Sequence, residues 1–266
     1  MGISAVDVRK RILKMANTCE RNAHIGGSLS MVELLTVLYR DIMSYHMDDP
    51  AWEDRDRFIL SKGHCALALY AVLTECGLIG EDISQSFLQD AGRLGSHPVM
   101  DLSIGIESSN GSLGQGISMA VGIAKAAKLQ GKDYKVYVLV GNGECDEGSV
   151  WEAAMLASQW QLDNLTVIVD NNMLQGDGKS SDIIGMANIR ERFEKFGFLS
   201  LEVDGHDETE ILEAFRQNEE NRPKVIIGNT VKGKGISYME NNNEWHHNRL
   251  IKEAYEQALA EMEGRM

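Results

Sequence analysis

The sequence predicts an α/β fold: doubly wound, with a mainly parallel sheet and helices on both faces. Three observations predict it. Four short apolar runs, Val136 to Val140, Leu165 to Val169, Leu199 to Val203 and Lys224 to Gly228, recur with helical segments between them, the alternation that builds strand–helix–strand units. The first two runs stop at Gly141-Asn142-Gly143 and Asp170-Asn171-Asn172, so their polar tips fall at the carboxyl ends of parallel strands, where open α/β sheets bind ligands. Finally, 266 residues can bury a full core, and three prolines with 26 evenly spread glycines leave no linker, repeat or low-complexity run. Residues 1–266 therefore read as a single domain.

Composition removes several function classes. A net charge of −14 argues against nucleic acid and anionic membrane as partners. Any phosphate chemistry must rest on backbone amides, a cation or a partner's basic residues. Four cysteines (Cys19, Cys65, Cys76, Cys145) show neither metal-ligand spacing nor a disulfide framework, which points to a reducing, cytoplasmic setting. The start MGISAVDVRKRILKM has no apolar signal region and no stretch reaches membrane length, so neither export nor anchoring is expected.

In chain order, Val6 to Arg21 is an amphipathic helix with Val8, Ile12, Leu13, Met15 and Ala16 on one stripe. It breaks at His24-Ile25-Gly26-Gly27, and Ser28-Leu29-Ser30 is expected to cap a second helix, Met31 to Tyr39. Ile59-Leu60 is a short strand and Ala66 onward a buried helix, which sets Ser61-Lys62-Gly63-His64 at a helix N-terminus, where backbone amides favour an anion. Glycines in Gly111-Ser112-Leu113-Gly114-Gln115-Gly116 allow close backbone approach before an alanine-rich helix, Ile117 to Leu129. Met186 to Phe196 and Glu208 to Asn218 read as helices. Leu250 to Glu263 is a last one, packing by Ile251, Ala254, Tyr255, Ala258 and Leu259. Asn142 and Asn172 lie 30 residues apart, one strand–helix–strand unit, and their side-chain oxygens suit a hard cation carrying a diphosphate.

The stretch GNGECDEGSVWEA, followed after a helix and a strand by Asn172, resembles the thiamine diphosphate motif of transketolases. The resemblance extends to His24 in HIGG, SKGH at Ser61 to His64, Gly95-Ser96-His97-Pro98, the ESSNGSLGQG run, DGHD at Asp204 to Asp207, VKGKGIS and Trp245-His246-His247. It covers the whole chain, but only the first of a transketolase's three domains, and implies the thiamine diphosphate-binding fold. By that resemblance His24, His64, His97 and His246 are catalytic, while His64, Gly111, Ser112, Leu113, Gly141, Asn142, Gly143, Glu144 and Asn172 hold thiamine diphosphate. Mg²⁺ or Ca²⁺ would be met by Asn142, Asn172 and the Leu174 carbonyl. Asn142 departs from the family, which has aspartate there. His247 stands where glycine is common, and DGHD reads as a strand-end turn and helix cap.

The family's second domain brings the glutamate and the aromatic platform for the aminopyrimidine, and none can be placed here before Met266. The resemblance thus implies an N-terminal subunit of a split transketolase. It would work with a separate C-terminal subunit in an α2β2 assembly, moving a two-carbon ketol group between sugars or sugar phosphates. Two alternatives stay open: a subunit of a 2-oxoacid dehydrogenase type of enzyme, and a non-catalytic scaffold.

Overall fold

The computed structural model describes residues 2–184 and 188–264. Strands β1 (Arg57–Leu60), β2 (Val136–Gly141) and β3 (Leu165–Asn171) are followed by a pair of two-residue strands, β4 (Leu174–Gln175) and β5 (Gly178–Lys179). Strands β6 (Leu199–Asp204) and β7 (Lys224–Asn229) complete the set. Five of them form a sheet in the order β1-β2-β3-β7-β6, parallel at every pairing, and β4 and β5 make a small antiparallel hairpin beside it.

Strict alternation along the strands divides the core into two layers, because successive side chains point to opposite faces. Val136, Val138 and Val140, with Ile59, Val167, Val169, Val225 and Ile227, pack against helices Gln115–Gln130, Gly148–Gln159 and Ile189–Lys195. Tyr137 and Leu139, with Phe58, Leu60, Ile168 and Ile226, face the opposite way. There they meet helices Ala5–Thr18, Val32–Val37, Ala66–Glu75, Glu208–Arg216 and Lys252–Gly264. Helices on both faces are what the central strands require, since Val136, Val138, Leu139, Val140, Val167 and Ile168 are wholly buried.

Local expectations change at three places. Ser28 and Ser30 cap nothing: a helical turn already spans Gly26–Leu29, and the Ser30 hydroxyl donates to the Asp170 carboxylate at 2.6 Å. The last helix packs by Ala254, Tyr255 and Ala258 as expected and extends that stripe to Met262, while Ile251, one residue before its start at Lys252, is 52% exposed. The helix expected from Met186 runs Ile189–Lys195 with Asn188 as its cap, and Met186 lies outside the described residues. No described helix is long and apolar enough to cross a membrane.

Candidate active site

Because the five sheet strands are parallel, their carboxyl ends all open on one edge, and the following loops meet there. The 61–64 loop follows β1, 141–147 follows β2, 172–177 follows β3 and 230–235 follows β7. Together they line a cavity of about 460 Å³. His24, His64, His97 and His246 all line it, as do Gly111, Leu113, Gly141, Asn142, Gly143, Glu144, Asn172 and Leu174. Ser112 is the exception among the expected residues, being exposed beside the cavity.

Two glycines set how tightly these loops approach. A Cβ on Gly63 would fall 2.2 Å from the Asn110 carbonyl oxygen, and one on Gly116 would fall 2.7 Å from the Ser61 Cα. The 61–64 and 110–116 loops therefore pack backbone to backbone, which no larger residue permits. Glu144 locks the same junction. Its carboxylate accepts from the Gly114 amide at 2.8 Å, the Gly141 amide at 3.1 Å and the Ser61 hydroxyl. Burial raises its pKa, and those three donors work against the rise. Its acceptors are turned toward the loops it ties together, so its first role is to hold the glycine loop against β2.

The histidines converge from distant parts of the chain. An isolated antiparallel bridge between Ala23 and Asn248 brings His24 beside His246 and His247. His24 lies with its ring centroid 5.2 Å from His64, 5.4 Å from His246, 6.0 Å from His97 and 4.5 Å from His247. Burial, then the neighbouring imidazoles, lowers His24 to about 3. Burial followed by Lys62 takes His64 to about 4, and burial followed by Lys232 does the same for His246. His97 is lowered by burial and by His64. At neutral pH these four imidazoles, His24, His64, His97 and His246, are therefore uncharged, able both to donate and to accept. Lys232 Nζ lies 3.0 Å from His246 Nδ1, which makes that nitrogen the acceptor and leaves the proton of the neutral ring on Nε2.

Two buried lysines have different surroundings. Lys62 Nζ donates to Asp170, a wholly buried carboxylate at the end of β3 that also accepts from Ser30, Thr230 and, at 3.0 Å, Asn172. Burial alone would lower the Lys62 pKa, but Asp170 lifts it to about 12. Burial likewise pushes Asp170 up, and Lys62 with the hydroxyl donors holds it below the usual carboxylate range. Lys232 donates instead to neutral acceptors, Asn243 Oδ1 at 2.7 Å, the Gln175 carbonyl at 3.3 Å and His246. Burial brings it down to about 8. It is thus a cation at the cavity wall whose three acceptors are all uncharged.

Asn142 and Asn172 stand at the tips of adjacent strands, both buried. The Asn142 amide oxygen accepts from Ser180 Oγ at 2.5 Å and the Gly143 amide at 3.2 Å, while its NH₂ donates to the Asp170 carbonyl at 3.2 Å. Asn172 Oδ1 accepts from the Leu174 amide at 3.1 Å. These oxygens are of the kind a hard cation takes, and each retains acceptor capacity, but they bring no charge. Among the described residues no group of three His, Cys, Asp or Glu side chains could hold a metal. The donor set fits a hard cation in kind and offers it a weaker field than a carboxylate would.

Sequence reasoning left out Lys232, Asp170, Gln175 and His247. Asp170 looks like a strand-end turn residue and Gln175 has no motif around it, whereas Lys232 carried a signal in the VKGKGIS segment and His247 in its place beside His246.

Comparison with known proteins adds to this geometry. The family model described as transketolase, thiamine diphosphate binding domain, matches residues 5–262. A subunit of the apulose-4-phosphate transketolase from Phocaeicola vulgatus is 41% identical over 260 residues, covering 97% of this chain and 92% of that protein. A 6-deoxy-6-sulfo-D-fructose transketolase subunit of a Clostridium species is 38% identical over 242 residues, covering 90% and 88%. The solved transketolase from Leishmania mexicana matches with a TM-score of 0.89 at 30% identity, over 99% of this chain and 42% of that one.

Proposed function

The chain belongs to the transketolase family, and we propose that it is the N-terminal subunit of a two-subunit transketolase. The pair transfers a two-carbon ketol group from a ketose, usually phosphorylated, to an aldose. The observation that carries this reading is the convergence of His24, His64, His97 and His246 on one cavity bounded by strand ends and a buried lysine. Relatives named as transketolase subunits, of nearly this length, support the division into subunits.

Thiamine diphosphate, when bound, supplies the carbanion chemistry that breaks and forms the carbon–carbon bond. The chain's part is to bind, orient and move protons. His64, Gly111, Leu113, the Gly141 to Glu144 turn and Asn172 hold the cofactor, with Lys232 as counter-charge to its diphosphate. Asn142, Asn172 and the Leu174 carbonyl hold Mg²⁺ or Ca²⁺. His24, His97 and His246, neutral at working pH, hydrogen-bond the donor hydroxyls and shuttle protons to the developing alkoxide. A separate C-terminal subunit completes the site in an α2β2 assembly of single-domain N-terminal chains. Four buried, unpaired cysteines support a reducing, cytoplasmic setting. Neither a 2-oxoacid dehydrogenase subunit nor a scaffold is favoured, since a scaffold has no use for four inward-facing imidazoles.

The test is reconstitution. Chain and C-terminal subunit, mixed with cofactor and Mg²⁺, should turn over a panel of phosphorylated ketoses, while the chain alone should not. Robust turnover by the chain alone would defeat the subunit reading, and an inactive pair with every donor would defeat the activity.

A further inference from the structure

Behind the cavity wall lies a buried charged group that the reading above does not use. Arg9 belongs to helix Ala5–Thr18, Glu33 to helix Val32–Val37, and His206 to the turn after β6. Arg9 Nη2 donates to Glu33 Oε1 at 2.6 Å, and His206 Nδ1 lies 2.9 Å from Glu33 Oε2. Arg9 and Glu33 are each only 7% exposed. The far side of each end reaches the same loop. His206 Nε2 accepts from the Val231 amide at 2.8 Å, which places the ring proton on Nδ1, donated to Glu33. Arg9 Nε donates to the Lys234 carbonyl at 3.0 Å.

These two bonds hold the loop on either side of Lys232, at the residue before it and two residues after it. The loop lies past the end of β7, outside the sheet ladder, so its backbone groups need partners from elsewhere. Gly235, at φ +96°, leaves room for Arg9, whose side chain would lie 2.7 Å from a Cβ there. A buried ion pair is a poor device for stability alone, since desolvation offsets most of its attraction. It is a good device for geometry, because a planar guanidinium and a fixed imidazole tautomer each accept one arrangement. Between the clamps, Lys232 projects its ammonium to Gln175, Asn243 and His246 at the cavity wall.

We propose that Arg9, Glu33 and His206 form a positioning triad that fixes the Lys232 ammonium in the cavity and so sets the affinity for the cofactor's diphosphate. The inference rests on the functional reading above and extends it to three residues that touch neither cofactor nor sugar.

The experiment is calorimetric titration of thiamine diphosphate, and of inorganic pyrophosphate as a probe, into the complex with its C-terminal subunit. His206→Phe should weaken both by ~10-fold, as expected when a contact is displaced rather than deleted. His206→Gln, which can both accept from Val231 and donate to Glu33, should restore most of the loss. In a Lys232→Met background His206→Phe should have no further effect, because the residue acts through Lys232. Should His206→Phe fail to fold, Arg9→Gln, which releases the Lys234 carbonyl, carries the same expectations. Full affinity in the single variant, or an equal loss with and without Lys232, overturns the triad alone. No binding of either ligand by the unaltered complex overturns the functional reading and the triad with it.

Discussion

Lys62→Met removes the ammonium that faces a wholly buried carboxylate, Asp170, and keeps a stem of similar length. Deleting one partner of a buried pair costs about 3–5 kcal/mol, because the other charge is left uncompensated. Protonation sets a second bound. Taking Asp170 from an unfolded-state value near 3.9 to neutral at pH 7 costs about 4 kcal/mol, at about 1.4 kcal/mol per pH unit. Ser30, Thr230 and Asn172 still donate to the carboxylate, so the loss should fall at the lower end, about 3 kcal/mol at pH 7. The sign of its pH dependence follows from linkage. In the native chain Asp170 is held below the usual carboxylate range, so its contribution is present above the unfolded value and is lost only as pH falls through the lowered one. In the variant the folded pKa is raised, the folded state takes up the proton first, and the stability gap to the native chain narrows between pH 7 and 5. Loss of Lys62 also relieves His64, which narrows the gap in the same direction. Urea unfolding of both proteins at pH 7, 6 and 5 measures it. A gap below about 1 kcal/mol at pH 7, or one unchanged down to pH 5, refutes the reasoning.

His64→Ala and His97→Ala should each lower kcat/KM of the reconstituted pair by ~10²-fold or more, with cofactor affinity changing much less for His97; near-native kinetics with every donor would remove that residue from the machinery. Asn142→Asp sets a carboxylate oxygen against the Asp170 carbonyl that now accepts the amide NH₂, so without metal the variant should lose about 1–3 kcal/mol. Mg²⁺ should restore it and bind more tightly than in the native chain; thermal scans with and without Mg²⁺ decide, and unchanged Mg²⁺ dependence would exclude residue 142 as a cation ligand. Acid should destabilise the chain ahead of carboxylate titration. His24, His64 and His246 are held far below the ordinary histidine value, so their contribution is complete above about 6.5 and is lost as pH falls toward about 4. A melting temperature that does not fall between pH 7 and 5, or that falls as steeply in His64→Phe, would contradict this.

The sheet was legible because the buried strands β2, β3 and β7 read as apolar runs and the half-exposed edge strand β6 as an alternating one, and each of these runs became a strand. Only β1 was half visible, since it begins at Arg57 and its neighbours in sequence are loops. The histidines were legible through local motifs. What escaped is nonlocal: Lys62 and Asp170 are 108 residues apart and share no pattern until β1 and β3 flank β2. Ser30 misled for a related reason. A serine ahead of an apolar helix ordinarily caps it from extended backbone, its oxygen accepting an amide, but here residue 30 is already helical at φ −66° and ψ −29°, and its hydroxyl donates to a buried carboxylate. Glu144 was placed toward the cofactor by its motif, while the close approach of three loops claims its oxygens.

The strand order has a consequence for how the chain is made. Strand β7 emerges last yet lies between β3 and β6, so until it is synthesised the apolar flank of β3, LTVIV, has no neighbour on that side. The finished sheet guards its two outer edges with Arg57 on β1 and with Glu202 and Asp204 on β6. The temporary edge has no such guard along those five residues. At about 5–20 residues per second, translation leaves it open for several seconds, long enough for two nascent chains to pair. Ribosomes closely spaced on one message would place such edges side by side, so slowing translation beyond β3 should raise aggregation even though the completed protein is unchanged.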